Sequence, residues 1–156
     1  MPLKRRVPLK ERSIKWLKVE LWRLTSLFVR QRDILIDYYE GNLPEPYIEC
    51  ISCGLKVHWR KSDAGHYYSR TEKYLAIKYH LWNIHAQCTH CNWTKEGNKQ
   101  GYLKGMVKRY GQAETDRRML ILDSKKHNTC HWNKFIYITM IQEIEEDLLI
   151  HKFETR

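Results

Sequence analysis

The chain has 156 residues, enough for one domain or a domain with an arm. It carries 28 lysines and arginines against 18 acidic residues, a net charge of +10, with 42% apolar content. That content excludes a wholly disordered chain, and no apolar run approaches the ~18 residues of a membrane span. The basic N-terminus is followed by no apolar segment of the secretory kind, so the expected compartment is the cytosol. There cysteines bind metal or catalyse more often than they form disulfides, and five are present.

The charge is uneven. Residues 1–32 hold ten basic and two acidic side chains, and residues 93–111 add a further net +4. Between and after them the chain is close to neutral. Basic blocks of this kind neutralise phosphates and release counterions, so the arm, with Lys4, Arg5 and Arg6 at its start, is expected to contact nucleic acid.

Taken in chain order, Pro2 and Pro8 frame a short arm. From about Arg12, Ile14, Leu17, Leu21, Leu24 and Phe28 recur at steps of three and four, the spacing of a helix with one apolar stripe. The stripe needs a partner, either the rest of the chain or a second copy, so a homodimer is an expectation. The prolines of the 41–46 segment end this region. The run Tyr74–Tyr79 is strand-like, Gly101 to Tyr110 is a short helix capped by Gly111, and Ala113 to Leu122 is another. From Asn133 a further amphipathic helix sets Tyr137, Ile141, Ile144 and Leu148 on one stripe. Its Glu143, Glu145, Glu146 and Asp147 face solvent or a basic partner. Three segments result: 1–46 as arm and N-terminal helix, 47–111 as the core, and 112–156 as a C-terminal helical region.

The strongest signal is Cys50-Ile-Ser-Cys53 and Cys88-Thr-His-Cys91, two C-x-x-C knuckles separated by 34 residues. Two such knuckles offer four thiolates in the closed tetrahedron of structural zinc, and Gly54 suits the tight turn after the first. The insertion between them is longer than a zinc ribbon needs, so it holds structure of its own.

Within it stand His66, then Asn83, and then Asn92 directly after the closing cysteine. This is the order of an HNH, or ββα-metal, nuclease. Its chemistry needs a histidine to take a proton from the attacking water. It also needs a divalent cation, magnesium or manganese, to hold the scissile phosphate, and an asparagine to fix the loop that aims the histidine. His66 is the candidate base and Asn83 the loop residue. The usual aspartate before the histidine is absent; Gly65 stands there, and Asp63 is the nearest acid. Asp63 is therefore the candidate ligand of the catalytic metal. It shares a side with His66 only if a bulge intervenes; His85, or His66 itself, is the alternative.

The chain resembles the NinG (Rap) recombination proteins of lambdoid phages. The resemblance runs through Phe28-Val-Arg-Gln-Arg-Asp33, Cys50–Gly54, Asp63-Ala-Gly-His-Tyr67 and Asn83-Ile-His-Ala-Gln-Cys88. It continues in Cys91-Asn92, Gly97-Asn98, Tyr102 and the helix ending at Gly111. It implies a nuclease acting on branched recombination intermediates in the bacterial host cytoplasm, alongside other phage recombination proteins. The Cys-x-x-Cys-Asn ending is also similar to Holliday-junction resolvases of the endonuclease VII type, which implies that Asn92 binds the catalytic metal.

The expected fold is α+β, a zinc-stapled ββα-metal core with long flanking α-helices. Arg30, Arg32, Lys95, Lys99, Lys104, Lys108 and Arg109 are the expected phosphate contacts. Two other readings stand beside the nuclease: a zinc-stabilised DNA-binding accessory protein without catalysis, and an RNA-binding zinc-knuckle protein. Among the remaining candidates, His90 is an alternative zinc ligand, His58 and His80 are structural or surface residues, and Trp16, Trp22 and Trp132 are core or dimer contacts. Cys130, between His127 and His131, lacks a fourth ligand nearby and is a spare thiol.

Overall fold

A computed structural model describes the backbone of residues 7–154 and the side chains of residues 7–150. Lys4, Arg5 and Arg6 lie outside the described residues. The architecture of the described residues is mixed: five α-helices and two small antiparallel hairpins, within two compact units. No helix among the described residues is long and apolar enough to cross a membrane.

The first unit joins the chain up to Phe28 with the stretch from His131 onward. It contains most of α1 (Ile14–Arg32) and all of α5 (Lys134–Glu154). Leu17, Leu21 and Leu24 of α1 are at most 1% exposed, and Tyr137, Ile141, Ile144 and Leu148 of α5 are buried as well. The Lys18 ammonium lies 5.9 Å from the Tyr137 ring centre. The apolar stripe of α1 is thus buried within the chain. Ile14, at the first helical position, is exposed and does not join the buried stripe.

The second unit, Val29–Cys130, carries the knuckles and everything between them. After the single turn α2 (Ile36–Tyr39), β1 (Tyr47–Glu49) pairs with β2 (Lys56–His58), and Ile34 bridges to Ile48 beside them. β3 (Ser62–His66) pairs with β4 (Ile84–Cys88) in unbroken register, from Ser62 opposite Cys88 to His66 opposite Ile84. The two hairpins meet where the Ile51 amide donates to the Ala86 carbonyl. α3 (Lys99–Tyr110) and α4 (Gln112–Lys125) follow, with Gly111 at φ +82° between them. That left-handed value is available to glycine at little cost, which is why the first helix stops there.

The strand expected at Tyr74–Tyr79 is instead a 3-10 turn, Glu72–Ile77, interrupted at Tyr74 (φ −119°, ψ 35°). The Ile77 carbonyl is taken by the Asn83 side chain, not by a neighbouring strand, while Ile77 and Tyr79 still reach the core. Both are buried from a turn, which period-two spacing cannot distinguish from a strand. The three sequence segments also divide the chain differently from the two units. α4 packs on α3 and on the turns at Glu72–Ile77 and Leu81–Asn83, so it belongs with the knuckles.

Candidate functional site

Cys50 follows β1, Cys53 lies in the turn after it, Cys88 ends β4, and Cys91 sits in the wide turn His90–Thr94. Gly54, at φ +75°, closes the first knuckle by donating its amide to the Cys50 carbonyl. All four Sγ atoms lie within 4.8 Å of one another, and those of Cys53 and Cys88 are 3.8 Å apart. A tetrahedron with Zn–S bonds of ~2.3 Å requires sulfur–sulfur edges of about 3.8 Å. The cluster therefore fits a zinc ion. Its surroundings favour thiolates too: the Cys91 amide approaches the Cys88 sulfur, and the Asn98 amide nitrogen approaches the Cys91 sulfur, each at 3.5 Å. Burial pushes the Cys50 thiol up to about 12, a cost that a divalent cation at the centre would offset. His90 is exposed and outside the cluster, so it replaces no thiolate. Cys130 joins no metal-binding group among the described residues.

α3 docks on the first knuckle through glycines. A Cβ at Gly101 would lie 2.1 Å from the Ser52 carbonyl oxygen, and one at Gly105 would lie 1.6 Å from that of Ile51. Only hydrogen at these positions allows the helix backbone so close. Ile51, Tyr102 and Met106 are buried along the same contact. A groove of about 470 Å³ opens beside it, lined by the knuckle residues together with Lys104 and Lys108.

His66 ends β3, and its Nε2 lies 2.8 Å from the Lys78 carbonyl oxygen. A carbonyl only accepts, so Nε2 carries the proton and Nδ1 the lone pair. Burial lowers the His66 pKa to about 4, with the charges of Arg70 and Lys78 adding to the effect and the Lys78 carbonyl opposing it. The imidazole is neutral at pH 7. Asn83, fully buried, ties the intervening loop at both ends. Its oxygen accepts from the Tyr68 amide at 2.8 Å, and its nitrogen donates to the carbonyls of Tyr68 at 3.0 Å and Ile77 at 3.2 Å.

Asp63 does not join His66. The register of β3 has no bulge, so residues three apart face opposite sides. Asp63 stands on the Gln87 side, close enough to Arg30 for its charge to raise the Arg30 pKa against the larger lowering by burial. One of its carboxylate oxygens is buried without a hydrogen-bond partner. The absence of an aspartate at position 65 has a steric reason. A Cβ on Gly65 would sit 1.7 Å from Oε1 of Gln87, whose carboxamide donates to the Ser52 hydroxyl and, at 2.8 Å, to the Gly97 carbonyl. Gln87 occupies the space that any side chain at 65 would need. Asn92 lies half-buried in the turn directly after Cys91.

His85, the alternative metal ligand, is unavailable for that task. It is fully buried, with Nδ1 and Nε2 each 2.8 Å from the hydroxyls of Tyr102 and Tyr110. The Tyr102 hydroxyl donates to the Gly65 carbonyl at 3.1 Å. The remaining protons then follow: His85 donates from Nδ1 to Tyr102 and accepts at Nε2 from Tyr110. Burial pushes the His85 pKa down to about 3 despite the nearby Asp33 charge.

Of the expected phosphate contacts, Lys95, Lys99, Lys104 and Lys108 are exposed, although Lys108 also pairs with Glu49. Arg30 is half-buried, 5.8 Å from the Trp59 ring centre. Arg32 and Arg109 turn inward instead. Arg32 bonds Asp33 and the carbonyls of Leu81 and Ile84, while Arg109 bonds Asp33 at 3.2 Å and the Glu49 carbonyl. Burial alone would raise the Asp33 pKa, but these arginines hold it well below the usual carboxylate range. The oxygen facing Arg109 also accepts from the Ala86 amide at 2.7 Å, tying Asp33 to β4. Buried Asp33 and Tyr102, with half-buried Tyr110, were not anticipated as a polar network. Tyr102 and Tyr110, eight residues apart on one helix face, were the available signal.

A small α+β chain with a four-cysteine cluster able to hold zinc is the class that fold and site define. Across residues 3–152 it matches the family described as Bacteriophage Lambda NinG protein. The chain belongs to this NinG family of lambdoid phage proteins. It is 34% identical over 130 residues to protein ninG of Escherichia phage lambda, covering 82% of this chain and 52% of that protein. To protein ninG of Salmonella phage P22 it is 34% identical over 125 residues, covering 79% and 52%. The chain thus spans about half the length of the curated relatives it matches. No solved structure matches it.

Proposed function

We propose that this chain is an endodeoxyribonuclease of the HNH type that cuts branched recombination intermediates such as Holliday junctions. His66 carries the proposal. It is a neutral imidazole with its tautomer set by the Lys78 carbonyl, at the end of a hairpin whose loop is clamped by Asn83. In this reading Nδ1 takes the proton from a water that attacks phosphorus while the bond to the 3′ oxygen breaks. A bound phosphate brings negative charge beside the ring and raises its pKa from about 4 toward the working pH, where a general base is most effective.

The zinc cluster positions the second strand and the turn bearing Asn92, and takes no part in proton transfer. Magnesium or manganese belongs to the proposal as cofactor, yet the His66 side offers a thin donor set. With Asp63 facing away and His85 sealed between tyrosines, Asn92 is the remaining expected ligand, and no step is assigned to a metal ion. Lys95, Lys99, Lys104 and Lys108 supply the phosphate grip, and Arg32 and Arg109 leave that role for an internal one. A homodimer presenting two sites would suit the two cuts that a four-way junction requires. The action would take place in the host cytoplasm, beside other phage recombination proteins.

The position of Asp63 favours one competing reading, a zinc-stabilised DNA-binding accessory protein without catalysis. Wild type and His66→Ala, incubated with labelled four-way junctions with and without magnesium or manganese, separate the two. Metal-dependent cleavage that disappears in the variant while junction binding persists supports the nuclease. Binding without cleavage by wild type would leave the accessory reading.

A further inference from the structure

Trp93 is 68% exposed, unusual for the largest apolar side chain in a protein with buried aromatic surface to spare. Among the described residues no aromatic ring or cation packs on it. It follows Asn92 directly, in a turn that is firmly built. The amides of Lys95, Gly97 and Asn98 donate to the carbonyls of His90, Cys91 and Lys95 at 3.0, 2.9 and 2.8 Å. Glu96, Gly97 and Asn98 all take positive φ, 48°, 89° and 42°. The turn also lies against the end of β3, since a Cβ on Gly97 would stand 3.6 Å from the His66 carbonyl oxygen. Exposed Lys95 belongs to the same turn, and exposed Lys99, which starts the next helix, holds its ammonium 5.8 Å from the ring centre of Tyr67, the neighbour of His66.

We propose that Trp93 is a stacking platform for an unstacked nucleobase, by which this surface tells a DNA branch point from continuous duplex. The inference rests on the DNA-acting reading above. An exposed indole in a turn that also carries exposed Lys95, and is followed by exposed Lys99, matches a ligand with both a π-face and phosphates. In continuous duplex each base has both faces covered by its neighbours, so the indole finds no face to stack on. At a branch the stacking is interrupted and a face becomes available. The lysines grip both forms alike, because phosphate contacts carry no information about shape or sequence. Discrimination therefore falls to Trp93. Its turn is anchored through the Cys91 carbonyl to the second knuckle, so little conformational freedom is lost on stacking.

The test uses the full zinc-loaded chain in the His66→Ala background without divalent cations, so DNA stays intact whether or not the protein is a nuclease. The probes are a four-way junction with 2-aminopurine at the branch point and a continuous duplex of equal total length. His66→Ala should quench the 2-aminopurine, and adding Trp93→Ala should abolish the quench. Stacking is worth about 1–3 kcal/mol per base, so the second substitution should weaken junction binding about 5- to 150-fold. Duplex affinity and the salt dependence of both should stay unchanged, and Trp93→Tyr should keep most of the junction preference. Equal weakening on junction and duplex, or no weakening on the junction, would overturn the stacking role. So would a change of sedimentation with Trp93→Ala, which would assign the indole to a contact between copies. If the His66→Ala chain with Trp93 intact binds neither DNA, the DNA-acting reading itself falls, and this inference with it.

Discussion

Gly105→Ala puts the docking of α3 to a test in which the sign of the effect is decisive. In a helix interior, alanine is normally better than glycine by about 1 kcal/mol. Here the new Cβ would meet the Ile51 carbonyl oxygen at 1.6 Å and its carbon at 2.7 Å. Both are backbone atoms, so no side chain can swing aside and the helix itself must retreat by about 1.5 Å to restore ordinary contact. Overpacking of this kind costs up to about 3 kcal/mol. The retreat also separates Tyr102 and Met106 from Ile51 and stretches the buried Arg109–Asp33 pair. Set against the propensity gain, the net loss should be about 1–2 kcal/mol, or a fall in melting temperature of about 2–8 °C for a chain this size. Thermal and urea unfolding of the zinc-saturated protein measure it, with Lys104→Ala, at an exposed position of the same helix, as the control. A Gly105→Ala protein as stable as wild type, or more stable, would refute the direct seating of α3 on the knuckle.

The explanation for Gly65 makes a paired prediction. Gly65→Ala should destabilise by about 1–3 kcal/mol by evicting the Gln87 carboxamide from its hydrogen bonds, and should cost far less in a Gln87→Ala background; equal costs in both backgrounds in a double-mutant cycle would sink it. His85, with its pKa pushed down to about 3, stays neutral in the fold while the unfolded chain takes up a proton below about 6.5. Its contribution is therefore fully present above pH ~6.5 and is lost on acidification toward 3, at about 1.4 kcal/mol per pH unit; nitrogen NMR should find it as the Nδ1–H tautomer at pH 5, and an imidazolium there would contradict the tyrosine sandwich. Purified protein should carry about one zinc per chain, released with loss of the fold by a strong chelator or by Cys91→Ser. Substoichiometric metal, or an unchanged melt after chelation, would argue against the four-thiolate site.

Much of the site was legible without coordinates. The Cys50/Cys53 and Cys88/Cys91 spacing predicts a cluster, because C-x-x-C knuckles make the same local turn wherever they occur, and the Sγ atoms do converge. The helices were legible for a similar reason. Leu17, Leu21 and Leu24, like Tyr137, Ile141, Ile144 and Leu148, repeat at the pitch of one element, and Gly111 ends α3 by its own backbone freedom. What misled was alternation over too short a run: the Tyr74–Tyr79 pattern suits a strand equally well, but its backbone closes local three-residue turns and Asn83 clamps the Ile77 carbonyl.

Local chemistry, then, was determined by the sequence itself: which cysteines gather into a cluster able to hold a metal ion, where helices start and stop, and where charge gathers. The tertiary structure decided which side chains meet. The register of β3 and β4, set by pairing across seventeen or more intervening residues, turns Asp63 away from His66 and brings Gln87 onto Gly65. Likewise, two arginines that look like phosphate contacts in the chain are spent on Asp33, because burying one carboxylate against β4 requires cations beside it. The Arg109–Asp33 and Asp33–Ala86 contacts join residues more than 50 positions apart, and no spacing within the chain encodes them.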